Sequence, residues 1–145
     1  TFEIKYHNGF ENAPQERQVA MRKKQQEEYM EIRKKMTDDP EQCMELLLNW
    51  RGMNYTDLGI EIDRDPKTIS RTVKGETNPK VETAALICFG LHLPPTISEK
   101  LMIVLRCPLN PMNSTHQWIN EALHVKYPEP IWVVQEYLAQ YGVEI

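Results

Sequence analysis

In one short stretch, "PKTISRTVK", Lys67, Thr68, Ser70, Arg71 and Lys74 crowd hydrogen-bond donors together. Lysine and arginine supply fixed positive charge, and arginine presents its donors in a planar fork that can grip two acceptors at once. The hydroxyls add donors without charge. Such a set suits an anionic, acceptor-rich surface, and an arginine bonded to both acceptors of a guanine edge is one case. The spacing puts the donors on one side if the stretch is helical. Ile69 and Val73, four apart, then share the opposite face, with Lys67, Ser70, Arg71 and Lys74 turned away from them and Thr68 at the margin. Helix is the expected state: Asp65 is an N-cap residue type, Pro66 tolerates the first helical position because its missing N–H would have had no partner, and Gly75 is a stop.

Charge is local here. From Arg64 to Lys80 there are five basic residues against two acidic ones, a balance of +3. The whole chain carries −4, with a pI near 5.6, so global electrostatics lend no support to a nucleic-acid partner. The competing explanation for residues 66–74 is an ordinary solvated helix face. It accounts for the charge but not for the pattern of elements around it.

Other chemistries find little support. His7, His92, His116 and His124 are scattered, and no HExxH, CxxC or Cys-His metal spacing occurs. Phosphate loops of the GxxxxGK type and GxSxG nucleophile elbows are absent. No enzyme activity, metal or cofactor is therefore expected. His92, between Leu91 and Leu93, reads as a structural histidine, and Trp50, Trp118 and Trp132 as core residues. Cys43, Cys88 and Cys107 are odd in number and lie in apolar sequence, as reduced core cysteines of a cytoplasmic protein would. No apolar run approaches the roughly 18 residues of a membrane span.

The elements that must position the donors fall into four zones. Residues 1–14 alternate apolar and polar side chains (Phe2, Ile4, Tyr6) ahead of Asn8-Gly9, a short strand or hairpin that would suit the end of a preceding domain. The chain opens on Thr1, so a longer polypeptide is expected. Residues 15–39 contain a charged helix with a thin stripe of Val19, Tyr29, Ile32 and Met36, expected to be a solvated linker or a partner-binding helix. Residues 40–106 hold five short helices. The first carries Cys43, Met44, Leu47, Leu48 and Trp50 and stops at Gly52. The next starts at Asn54, with Leu58 and Ile62 four apart. The donor helix follows, and "VETAALICFGLHL" and "ISEKLMIVL" supply two more. Residues 107–145 hold two weakly charged helices. Ser114 or Thr115 is expected to cap one of them, and Ile131, Val134, Tyr137, Leu138 and Tyr141 line the other before Gly142. The pair must pack on the core or form a dimer interface.

The stretch "YTDLGIEIDRDPKTISRTVKGETNPKVETAALICFGLHLP" resembles the phage repressor and Cro-type helix-turn-helix proteins, the lambda-repressor-like or XRE family. Leu58-Gly59 stands where the family has Leu-Ala, a small residue at a close helix contact. Ile69 stands at the buried position of the recognition helix. Gly75, Asn78 and Pro79 match the following turn, and Leu91 with Leu93 the end of the fourth helix. The resemblance implies an all-α fold with a five-helix core, and a transcriptional regulator of prokaryotic or phage type that binds double-stranded DNA, commonly as a homodimer on two-fold sites. It makes Lys67, Thr68 and Arg71 candidates for base contacts. Tyr55, Arg64, Ser70, Lys74 and Lys80 become candidates for phosphate contacts. Two positions depart from the pattern: Thr72-Val73 replace the usual Leu-Glu, and Pro66 replaces a glutamine that often reads a base. The alternative is a regulatory or adaptor module of a larger protein, where the same helices bind a protein partner. Some family members are fused to a zinc peptidase domain, which makes such an upstream effector one candidate.

Overall fold

The start and stop signals become eight helices in a computed structural model that describes residues 15–145. They are α1 (Gln15–Lys35), α2 (Pro40–Arg51), α3 (Tyr55–Ile62), α4 (Pro66–Lys74), α5 (Val81–Gly90), α6 (Pro95–Val104), α7 (Ser114–Val125) and α8 (Ile131–Ala139). The molecule is all-helical over these residues. The strand or hairpin expected at residues 1–14 lies outside them. Among the described residues no helix is long and apolar enough to cross a membrane.

Short side chains set the boundaries. Asp39 accepts the Gln42 amide at 2.8 Å ahead of Pro40, the first residue of α2. Asn54 accepts the Asp57 amide at 2.8 Å while the Asp57 carboxylate accepts the Asn54 amide at 3.1 Å, a reciprocal box that starts α3. Asp65 accepts the Lys67 amide at 2.8 Å to open α4. α7 departs from expectation: Asn113, not Ser114 or Thr115, is its cap, accepting the His116 amide at 3.1 Å. Asn110 turns the chain just before it, accepting the Met112 amide at 2.9 Å, and this places Asn113 rather than the hydroxyls at the non-helical position.

α5 is the hub. Every residue from Ala84 to Leu93 is buried, as befits a helix apolar on all sides, and α3, α6, α7 and α8 all pack on it. Gly90 lets α3 come close: a Cβ there would lie 2.5 Å from Ile62 Cγ2 and 2.7 Å from Leu58 Cδ1. α4 is held from behind by α3 and α2, and α1 lies on α6. α1 is thus more than a solvated connector. Tyr29, Ile32 and Met36 are buried, Glu28 accepts the Trp50 indole N–H at 3.0 Å, and Tyr29 meets the Trp50 ring edge to face. Val19, expected in the same stripe, is exposed, because α1 reaches the core only with its later turns.

The C-terminal pair packs on the core through Ile119, Ala122, Leu123, Val134 and Leu138. Trp132 is the exception. Expected in the core, it is 63% exposed, since it follows Ile131 on α8 and the two adjacent positions cannot both face α5 and α7. Tyr141 lies beyond the end of α8 and stacks on Trp118 with ring centroids 3.7 Å apart. A buried polar knot ties this half to the rest. The Arg51 guanidinium donates to the Leu91 and His92 carbonyls at 2.9 and 2.8 Å, and His92 Nδ1 lies 2.9 Å from the Tyr127 carbonyl. His92 is structural, as its sequence context implied. Cys43, Cys88 and Cys107 are free and buried.

Candidate nucleic-acid interface

α4 owes its pose to the turn before it. Asp63 leaves α3 in the left-handed region at φ 53°, a conformation that aspartate tolerates better than most residues, and the Arg64 amide bonds back to the Gly59 carbonyl at 2.9 Å. Gly59 is what permits so short a turn. A Cβ on it would lie 2.6 Å from the Arg64 carbonyl oxygen and 3.1 Å from the Pro66 ring. Behind α4, Ile69 and Val73 are fully buried. Thr72 is buried as well, its hydroxyl donating to the Thr68 carbonyl at 3.0 Å. It therefore adds to the inner face and leaves no unsatisfied polar group.

The outer face carries Lys67, Thr68, Arg71 and Lys74, all exposed, with Ser70 half-buried on its flank. Lys67, Arg71 and Lys74 form one strip at i, i+4 and i+7 spacing, so their charges reach the same surface. Arg64, in the turn, is exposed, and its guanidinium donates to the Asp63 carbonyl at 2.9 Å. Lys80 is exposed at the N-cap position of α5, where no side chain caps the helix. Tyr55 stands apart from this group. It is half-buried at the start of α3, and its phenol is pushed up by burial and then by the Glu41 carboxylate of α2. A nearby carboxylate opposes an anionic partner, so Tyr55 is the least suited of the eight candidates.

One residue was not legible in the sequence. Arg106, in the left-handed region at φ 65°, donates from Nη2 to the Thr72 carbonyl at 3.2 Å, and its guanidinium covers Gly75, the C-cap of α4. A cation there meets carbonyls without helical partners and the negative end of the helix dipole. The two contacting residues are 34 apart in sequence, so no local periodicity or cap pattern announces the pairing.

The arrangement is a short helix backed by an apolar wall and presenting charged and neutral donors outward, with a supporting cation at its C-terminus. Among the described residues no group of histidine, cysteine or carboxylate side chains could hold a metal ion. No family model, no curated protein and no solved structure matches the chain.

Proposed function

We propose that this chain binds double-stranded DNA in a sequence-specific manner through α4, acting as a transcriptional regulator of prokaryotic or phage type. In this reading α2–α6 form a lambda-repressor-like unit and α3–α4 its helix-turn-helix. The observation that carries it is the division of α4 into a buried side of Ile69, Thr72 and Val73 and an exposed side of Lys67, Thr68, Arg71 and Lys74, on a helix set close to α3 at Gly59. A helix with side chains, about 10–12 Å in diameter, fits a major groove about 12 Å wide. Arg71 takes the guanine-type contact, and Lys67 and Thr68 read neighbouring base edges. Arg64, Ser70, Lys74, Lys80 and, more weakly, Tyr55 hold phosphates. The three free cysteines fit a reducing cytoplasm, and reading a two-fold site calls for a homodimer.

Selection from randomised duplexes, followed by salt-dependent binding of variants, tests the reading. Arg71→Ala should cost about 1–3 kcal/mol on the selected site and relax choice at one base pair. Lys74→Ala should weaken binding on all sequences alike and flatten the log–log salt slope by about one unit. Because the rest of the chain is acidic, affinity for random duplex should be low and fade quickly as salt rises. No enriched site, with Arg71 and Lys74 mattering only to a protein partner, would make the chain an adaptor module instead.

A further inference from the structure

We propose that the groove between α6, α7 and the connection joining them binds a small organic cation with an apolar body. The inference stands apart from whatever α4 binds. The groove holds about 790 Å³, within the range of pockets that take small molecules. Met102 and Ile103 of α6 line it, as do the aromatic side chains of Trp118, Tyr137 and Tyr141. Ile103 is 57% exposed there, an apolar surface that gains from being covered.

Charge selects the class of ligand. Glu99 of α6 and Glu121 of α7 both line the groove, and among the described residues no lysine or arginine does. The aromatic wall has the same preference, since ring faces attract cations. Trp118 stacks on Tyr141 at 3.7 Å and 10°, and Tyr137 meets Tyr141 edge-on at 5.4 Å. One ammonium, Lys126 Nζ, already lies 5.4 Å over the Tyr137 ring, so cation selection rests on the two carboxylates and on the Trp118 and Tyr141 rings. The two histidines of the groove divide the hydrogen bonding. His116 Nδ1 accepts the Asn110 amide at 2.9 Å. His124 Nδ1 donates to the Asn120 carbonyl at 2.8 Å. The two carboxylates and the ring faces favour positive charge.

Tetraphenylphosphonium and tetraphenylborate have nearly the same size and shape and opposite charge, so together they separate charge selection from apolar burial. Titration calorimetry on the full chain should give a Kd for the phosphonium between about 10 µM and 1 mM, with the borate about tenfold weaker or more. The double variant Glu99→Gln, Glu121→Gln changes two exposed side chains and should weaken the phosphonium about tenfold while erasing the preference between the two ions. Ile103→Arg, also at an exposed position, places a guanidinium in the wall and should abolish phosphonium binding. Borate binding as tight as the phosphonium would overturn the proposal, as would full phosphonium affinity in the double variant or no phosphonium binding at about 1 mM. Circular dichroism melts establish that each variant is folded, and if neither is, the comparison of the two ions on the parent chain decides alone.

Discussion

His92 occupies a backbone conformation that few side chains choose, at φ 50° and 1% exposed. Burial pushes its imidazole below the ordinary value, against smaller opposing effects of the Tyr127 carbonyl and Glu61. The sign of the pH dependence follows. The unfolded chain protonates this histidine near pH 6.5 and the folded one only at lower pH, so between those values the unfolded state binds more protons. Stability from this residue is complete above about pH 6.5 and is lost as pH falls below it. Thermal melts from about pH 7.5 to 5 should show a declining midpoint that His92→Asn flattens; asparagine accepts the left-handed backbone but has no imidazole to titrate. At the ends of α4, two polar residues act separately. Asp65→Ala should cost about 1 kcal/mol through its lost cap. Arg106→Ala, removing an exposed cation from the Thr72 carbonyl and the helix dipole, should cost about 0.5–1 kcal/mol. Urea titrations of both variants check the pair, and an unchanged midpoint for Asp65→Ala would mean that α4 does not depend on this cap.

At the scale of elements, α4 was legible because everything that delimits it is local. Asp65, Pro66 and Gly75 act within a few residues, and the four-residue spacing of Ile69 and Val73 defines its inner face. The close approach of α3 is different in kind. Gly59 looks like a small helical residue in sequence, whereas in the fold its missing Cβ is the space taken by the Arg64 carbonyl. Alanine would gain about 1 kcal/mol in helix propensity. Forcing a methyl group against packed neighbours costs about 1–3 kcal/mol, sometimes more. The obstructing atom belongs to the backbone and cannot rotate aside, so Gly59→Ala should lower the melting temperature and loosen amide exchange in the turn. A stabilised variant would mean that α3 and α4 can separate without cost.

For the whole molecule, the question is whether α7 and α8 belong to the core. Val134 and Leu138 are fully buried and α8 packs on α5 and α7. Leu138→Ala should therefore cost about 2–5 kcal/mol in a single cooperative unfolding transition. Trp132, with 63% exposure, should tolerate Trp132→Glu within about 0.5 kcal/mol. Denaturant melts distinguish the two, and sedimentation of the Trp132 variant adds a test of assembly. If the parent chain is a dimer through this face, Trp132→Glu should yield a folded monomer. An unchanged sedimentation coefficient keeps Trp132 out of any dimer contact.

The sequence by itself determined the helical class, the order and approximate bounds of most elements, and the caps of α3 and α4 at Asn54 and Asp65. It also determined which side of α4 is apolar, because each of these depends on interactions within about one helical turn. Docking was decided by the tertiary structure alone. α1 is half solvated and half core because only its later turns, with Gln25, Glu28, Tyr29 and Ile32, come within reach of the body of the fold. Trp132 faces water although its neighbours Ile131 and Val134 do not. Arg51 and Arg106 close backbone carbonyls 40 and 34 residues away. The groove beside Trp118 exists because α6, α7 and the turn beyond α8 converge there. Such pairings depend on which surfaces meet once the chain has closed on itself, and surfaces distant in sequence carry no periodic mark of their partners.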